Sequence, residues 1–244
     1  MPVYCVRRYG GRVTDAPVLF LPGMLCDERI WLPVWRQLAL PQRRYVPLQW
    51  ASSFDDMLAL TGDRVLPDEK VHVIGFSMGG YVAATWALQN PGRVASLTLI
   101  GYNPEGLGTD ELKRRKELVS ALQKGQPVTQ TPAYTAQFVA PDFVQEPLVA
   151  GVMQQMAQDL GSSTLLAHIQ STTPRQDLTP QLRQAAFPIN LIAARQDLIA
   201  RYELISAITP NLNNCTLYSI EQAAHMMLLE RPDEVSSALG QILA

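Results

Sequence analysis

The feature that most constrains the fold of this chain is an apolar run that ends in a Gly-x-Ser-x-Gly motif centred on Ser77. Residues 71–76 read as a buried strand, and residues 78–89 carry the small and apolar residues of a helix that stops at Asn90-Pro91. Glycines beside the serine let the strand and the helix approach closely across a sharp, strained turn. The pattern predicts a nucleophile elbow that raises the serine hydroxyl above a sheet. The alternative is that the glycines serve only to pack the helix against the strand.

Strand-like and helix-like runs alternate along most of the chain, which is typical of a mostly parallel sheet covered by helices on both faces. We expect about seven or eight strands. Those predicted from apolar runs are 3–8, 17–21, 44–49, 71–76, 95–100, 188–194 and 215–220. Residues 102–186 show helical patterns and no strand. The sequence therefore predicts a core of residues 1–101 and 187–244, with a helical lid of residues 102–186 over the carboxyl edge of the sheet.

The composition excludes several classes of function. The 244 residues carry 20 Lys and Arg against 22 Asp and Glu, so no nucleic-acid partner is expected. The absence of a long apolar stretch or signal peptide predicts no membrane partner and a cytoplasmic location. Cys5, Cys26 and Cys215 are odd in number and scattered, which indicates reduced thiols and no metal site. The basic run 113–116 predicts a solvated helix face, with docking of an acyl carrier as the minor alternative.

A serine hydroxyl becomes a nucleophile when a neighbouring base takes its proton, and the chain has three histidines. His72 lies within a predicted strand, where a packing role is expected, and His168 lies in the predicted lid. His225 falls in a loop just after the last predicted strand, where it can reach the carboxyl edge. An acid must orient this imidazole, and Asp197 follows another strand, 28 residues before His225. Ser77, Asp197 and His225 are therefore the predicted catalytic residues.

These residues and their order resemble the α/β-hydrolase superfamily, and the resemblance covers essentially the whole chain. The segment 21–24 is similar to the oxyanion loop of that family, and residues 194–197 are similar to its short loop bearing the acid. The resemblance implies an α/β-hydrolase fold and a Ser-His-Asp triad. It also implies an oxyanion hole formed by the backbone N–H groups of Met24 and Met78, and no cofactor or metal.

The resemblance further implies a serine hydrolase that acts on a small carboxylic ester or thioester through an acyl-enzyme intermediate. An apolar pocket is expected beneath the lid. Its predicted wall residues are Gly23, Trp31, Phe76, Met153 and Met156. A carbon-carbon bond hydrolase or a pyruvate-eliminating lyase of the same fold is the second alternative. That lyase carries an arginine close behind its elbow, where the corresponding segment of this chain reads Gly79-Gly80-Tyr81. A triad-bearing ligand receptor is the third.

Overall fold

Six parallel strands form the sheet that organises the described part of the chain, residues 14–244 of a computed structural model. They are β1 (Val18–Leu21), β2 (Arg43–Tyr45), β3 (Val71–Phe76), β4 (Val94–Ile100), β5 (Ile189–Ala194) and β6 (Cys215–Ile220). Their order across the sheet is β2-β1-β3-β4-β5-β6, and each neighbouring pair is parallel. The predicted α/β class with a mostly parallel sheet is confirmed.

Six strands are present among residues 14–244, against seven or eight expected of the whole chain. The first predicted strand, residues 3–8, lies outside the described residues, and the other six predicted strands are present within residues 14–244. β2 is shorter than predicted. It ends at Tyr45, and Leu48–Trp50 form a turn of 3-10 helix instead of continuing the strand.

Helices cover both faces of the sheet. Within residues 14–244 they are α1 (Leu32–Trp35), α2 (Phe54–Gly62), α3 (Met78–Gln89), α4 (Thr109–Gln123), α5 (Pro132–Thr135), α6 (Val152–Ser171), α7 (Thr179–Leu182), α8 (Tyr202–Ile208), α9 (Met227–Glu230) and α10 (Pro232–Ile242). α2, α3 and α8 contribute to one buried apolar cluster, and α1, α9 and α10 contribute to another. In β3, Val71 and Val73 belong to the first cluster and Ile74 and Phe76 to the second, because successive side chains of a strand point to opposite faces.

The strand order reverses at β1. The chain passes from β1 to β2 at the edge of the sheet and then returns to β3 on the other side of β1. Loops that leave the carboxyl ends of β1 and β3 therefore separate in opposite directions and open a crevice, which is where parallel sheets bind ligands. Met24 lies in the loop after β1 and Ser77 directly follows β3. The topology thus brings two of the predicted site residues to one crevice.

The segment between β4 and β5 contains α4 to α7 and no strand. It contacts the loops at the carboxyl edge of the sheet. Leu122 and Leu165 share a buried cluster with Leu25, and the Phe138 carbonyl accepts a hydrogen bond of 3.0 Å from the Met226 N–H. The division into a core and a lid of residues 102–186 stays a prediction. None of the helices described here combines the length and apolar character needed to cross a membrane.

Candidate active site

Ser77 lies in a strained turn between β3 and α3. Its backbone has φ 52° and ψ −115°, a region that residues other than glycine rarely occupy, and its N–H donates to the Ile100 carbonyl at 2.8 Å. The close approach of α3 to the end of β1 requires a glycine at position 79. A Cβ atom on Gly79 would overlap the carbonyl oxygens of Leu21 and Pro22. The Gly-x-Ser-x-Gly pattern therefore has the steric basis that the sequence indicates.

The structure joins the three predicted catalytic residues by hydrogen bonds. The distance from Ser77 Oγ to His225 Nε2 is 2.9 Å, and that from His225 Nδ1 to Asp197 Oδ2 is 2.8 Å. His225 and Asp197 are both buried. The other carboxylate oxygen, Asp197 Oδ1, accepts hydrogen bonds from the N–H groups of Ile199 at 2.8 Å and Ala200 at 2.9 Å. Since a carboxylate only accepts, the imidazole proton belongs on Nδ1, and Nε2 is left to accept from the serine hydroxyl.

The other predicted base candidates lie elsewhere. His72 is in β3 with its ring nitrogens 2.7 Å from Ser96 Oγ and 3.2 Å from Thr14 Oγ1, far from the carboxyl edge. His168 is buried on α6. Neither contacts Ser77, so His225 alone among the three histidines is within hydrogen-bond distance of the serine.

Glu230 fixes the loop that carries His225, a role the sequence analysis did not find. Its Oε2 atom accepts hydrogen bonds from the N–H groups of Ala224 at 2.9 Å and Ala140 at 3.2 Å. One carboxylate thus ties the residue before His225 to the segment between β4 and β5. Burial raises the pKa of Glu230, and the nearby Asp197 raises it further. The local sequence gives no signal for the contact with Ala140, because that residue is 90 positions away in the chain.

The predicted oxyanion donors lie on either side of the crevice. Met78 is the first residue of α3, and the N–H groups at a helix start have no partner within the helix. Met24 follows β1. Among residues 14–244, no group accepts a hydrogen bond from the N–H of Met24 or of Met78. Both amides are available to a ligand at the positive end of α3.

His168 holds the loop after β1. Its Nδ1 atom accepts a hydrogen bond of 3.1 Å from the Leu25 N–H, and its Nε2–H donates to the Leu48 carbonyl at 3.1 Å. Leu25 itself has φ 53°, so this bond secures a strained backbone beside Met24. Burial lowers the pKa of His168 to about 4, which keeps the ring neutral. A helix between β4 and β5 therefore positions a predicted oxyanion donor.

We expect the free energy of unfolding to decrease as the pH is lowered from 6.5 to 4, because of His168. The pKa of this histidine is about 4 in the folded chain, against an ordinary value of 6.5, so in this window the unfolded chain binds a proton that the folded chain does not. The loss amounts to at most about 3 kcal/mol. His168→Gln keeps a donor and an acceptor but does not titrate, so its free energy of unfolding should vary less with pH in urea titrations at pH 7.0, 5.5 and 4.5.

His72→Gln is the matched control for this measurement. Burial lowers the pKa of His72 too, but the side chain is only partly buried, so this variant should remove a smaller share of the pH dependence. Parallel stability curves for the wild type and His168→Gln across these pH values would contradict the assignment.

A cavity of about 610 Å³ opens beside Ser77 and His225. The predicted wall residues Phe76 and Met153 line it. The ring of Phe76 lies 5.2 Å from that of His225, and the ring of Phe138 lies 6.0 Å from it. Apolar side chains thus surround the reactive end of the cavity.

Three other predicted wall residues do not line this cavity. Trp31 is fully buried, and its ring packs edge-on against Phe20 with centroids 5.0 Å apart. Met156 is also fully buried, in the same apolar cluster. Gly23 faces Phe76, since a Cβ atom there would lie 2.9 Å from a ring carbon of Phe76. The prediction was wrong for Trp31 and Met156 because an apolar side chain near the crevice fits the core as well as the wall, and wrong for Gly23 because the Phe76 ring lies against it.

The basic run 113–116 is only partly a solvated face. Lys113, Arg114 and Lys116 are exposed, but Arg115 is buried. Its guanidinium donates to the Thr172 carbonyl at 3.1 Å and to other partners on the same segment. The expectation is therefore corrected at Arg115, whose hydrogen bonds lie within the protein. Docking of an acyl carrier stays a prediction.

Cys26 lines the cavity but is not a second nucleophile. Its thiol donates to the Met24 carbonyl at 3.4 Å, and burial raises its pKa to about 12. The neutral thiol is unreactive at physiological pH. Cys26 and Cys215 are both free thiols, as expected, and Cys5 lies outside the described residues.

The family of the chain follows from its sequence as well as its topology. A family model for the alpha/beta hydrolase fold matches residues 53–232, which include the elbow, Asp197 and His225. The chain belongs to the α/β-hydrolase family. The resemblance stated from the motifs is thereby confirmed.

Two curated relatives of this α/β-hydrolase differ in their reactions. Monoacylglycerol lipase ABHD6 of Mus musculus is 26% identical over 97% of this chain and 78% of its own length. The 2-succinyl-6-hydroxy-2,4-cyclohexadiene-1-carboxylate synthase of Salmonella newport (strain SL254) is 25% identical over 96% of each chain. Both alignments span nearly all of this chain, so neither relative is favoured by coverage.

Solved structures share the fold. A thermophilic esterase from Thermogutta terrifontis superimposes with a TM-score of 0.82, at 20% identity over 95% of this chain and 90% of its own. An esterase from Exiguobacterium antarcticum gives a TM-score of 0.75, at 17% identity over 95% of this chain and 93% of its own. At such identities the likeness concerns the fold, and the reaction has to be argued from the site.

Proposed function

We propose that this α/β-hydrolase cleaves small carboxylic esters or thioesters through an acyl-enzyme intermediate on Ser77. The observation that supports this most directly is the continuous hydrogen-bonded chain from Ser77 through His225 to Asp197. Ser77 and His225 line a cavity large enough for a small substrate. Esterases and a lipase among the similar proteins favour the same reaction.

The reaction proceeds in two halves. Ser77 Oγ attacks the acyl carbon while His225 Nε2 takes the hydroxyl proton, and the bond to the leaving oxygen or sulfur breaks as Nε2 returns that proton to the leaving group. Water then attacks the acyl-enzyme and gives a proton to Nε2. The Oγ–acyl bond breaks, Ser77 recovers its proton and the carboxylic acid leaves. Asp197 holds the imidazole in the tautomer that both halves need.

The N–H groups of Met24 and Met78 are the proposed oxyanion donors. Neither N–H group has an acceptor among residues 14–244; Met78 begins α3 beside Ser77, and Met24 lies in the loop after β1. Donors aimed at the developing oxyanion contribute about 3 kcal/mol each to transition-state stabilisation. Through its bond to Leu25, His168 is the proposed positioning residue for the donor at Met24.

We expect exposure to p-nitrophenyl esters of graded acyl length to leave one acyl group on Ser77, with release of more than one equivalent of nitrophenol. Intact-mass spectrometry detects the adduct, peptide mapping places it, and absorbance measures the turnover. An adduct that forms once and is retained would favour a ligand receptor. An adduct on a residue other than Ser77, or none with any ester, would contradict the proposal.

The second candidate is a lyase of the same fold. The 25% identity to the Salmonella synthase along nearly the whole chain favours it. Against it, this chain has no arginine close behind the elbow, where that lyase carries one; the segment reads Gly79-Gly80-Tyr81. Pyruvate release from the synthase's substrate that exceeds ester cleavage at equal enzyme concentration would reverse the order of the two candidates.

A further inference from the structure

Arg175 is a partly buried cation that forms no ion pair and lines the same cavity as Ser77. Its Nε atom is buried and has no hydrogen-bond partner among residues 14–244, and no carboxylate in that range forms an ion pair with its guanidinium. Residues 1–13 contain no Asp or Glu. Among residues 14–244, Glu111 acts on this charge electrostatically but forms its ion pairs with Arg114 and Arg115 instead.

Most of the other charged groups that line the cavity form ion pairs. Glu111 accepts from Arg114 at 2.8 Å and from Arg115 at 3.1 Å. Arg201, nearer the exposed surface, lies 3.9 Å from Glu203. The remaining acid of the cavity lining, Asp110, forms no ion pair with Arg175. Arg175 is thus the cavity arginine whose charge stays unpaired.

The surroundings of Arg175 make this unpaired charge costly. Its guanidinium carbon lies 5.6 Å from the ring centre of Tyr81 and 6.0 Å from that of Tyr102. The aromatic faces stabilise the cation in part, but they do not accept hydrogen bonds from the N–H groups in the plane of the guanidinium. Burial lowers the pKa of Arg175 to about 10, so the guanidinium stays charged at neutral pH. A partly desolvated cation with no ion pair is unfavourable, and a bound anion would offset that cost.

Tyr102 supplies a second unused donor. Its side chain is only 3% exposed, it lines the cavity, and its hydroxyl has no hydrogen-bond partner among the described residues. Burial raises the pKa of this phenol, so it remains protonated and able to donate. A Cβ atom on Gly80 would lie 2.7 Å from the Tyr102 side chain, which places the tyrosine against the helix that starts at the elbow.

We infer that Arg175 and Tyr102 form a subsite for a carboxylate on the acyl part of the substrate, so the preferred substrate is a half-ester or half-thioester of a short dicarboxylic acid. The planar guanidinium matches the two oxygens of a carboxylate, and the phenol adds another donor. Tyr81, under the guanidinium, is one helical turn from Ser77, which favours a short acyl chain. The inference rests on the proposed ester hydrolysis.

The test compares monomethyl glutarate with methyl pentanoate, which have acyl chains of equal length that end in a carboxylate or a methyl group. We expect kcat/KM to favour the anionic ester by about tenfold or more in the wild type, and Arg175→Gln to lower that ratio by about tenfold. Arg175→Lys should recover part of it. Arg183→Gln removes an exposed arginine outside the cavity and should leave the ratio at the wild-type value.

Each failure has a separate meaning. If neither ester is cleaved by the wild type, the proposed function fails. If both are cleaved but the ratio is the same in the wild type and Arg175→Gln, the carboxylate subsite is overturned and the esterase stands. If Arg175→Gln does not fold, Tyr102→Phe gives the same comparison, and an unchanged ratio overturns the inference. Preference only for a carboxylate in the alcohol part, tested with the acetate ester of glycolate, would overturn the acyl assignment.

Discussion

Ser77→Ala is expected to lower kcat/KM for ester hydrolysis by about 10⁴-fold or more. The variant lacks the oxygen that forms the acyl-enzyme and leaves His225 Nε2 without the hydroxyl it accepts from. Alanine keeps the Cβ atom, so the positive-φ turn at position 77 is no more strained than in the wild type. The residual rate should come from the proposed oxyanion donors, the amides of Met24 and Met78, which this variant keeps.

Steady-state hydrolysis of a short p-nitrophenyl ester measures this loss. Ser219→Ala is the matched control, because it removes an exposed hydroxyl that bonds to Tyr202 at 2.8 Å and does not line the cavity. Its activity should equal that of the wild type. The double variant Ser77→Ala/His225→Ala should be about as active as either single variant, since the two groups act as a unit. Retention of more than a tenth of the wild-type rate by Ser77→Ala would rule out Ser77 as the nucleophile.

The sheet could be predicted because its signals are local. A buried parallel strand reads as a short apolar run, and β3 to α3 adds an elbow whose glycines and serine lie within five residues. β2, at the edge of the sheet, has partly exposed residues and a weaker pattern, so its end was placed too late. The apolar content of the local sequence therefore predicts the bounds of central strands better than those of edge strands.

The predicted triad came together for a topological reason. Parallel strands of one sheet present their carboxyl ends at a common edge, so residues in the loops that follow β3, β5 and β6 approach one another whatever their distance in sequence. Ser77, Asp197 and His225 each occupy such a position. Strand order and chain order were enough to bring them within hydrogen-bond distance.

The supporting residues could not be predicted in this way. His168 bonds to Leu25, which is 143 residues away, and Glu230 bonds to Ala140, which is 90 residues away. Both contacts join the helical segment between β4 and β5 to carboxyl-edge loops, and nothing in the local sequence sets how that segment docks. The sequence likewise does not indicate Arg175, because an isolated arginine in a polar stretch is usually a surface residue.

Gly79→Ala is expected to destabilise the protein by about 4 kcal/mol, near the upper end of what a single added methyl group causes. The new Cβ would overlap two backbone carbonyl oxygens, those of Leu21 and Pro22, and backbone groups cannot rotate away as a side chain can. β1 and the loop that follows it are buried at these residues. Either α3 must move off the sheet or the end of β1 must shift, and each movement loses buried apolar contact.

Gly92→Ala is the matched control, since a Cβ atom there would meet nothing within 4 Å. Urea unfolding should place it within about 0.5 kcal/mol of the wild type. A free energy of unfolding for Gly79→Ala within about 1 kcal/mol of Gly92→Ala would contradict the steric argument.

The overlap also has a consequence for activity. Gly79 separates the elbow from the loop that carries Met24, so any shift that relieves the clash widens the gap between Ser77 and its proposed oxyanion donor. Properly folded Gly79→Ala molecules should therefore lose kcat while their KM changes less.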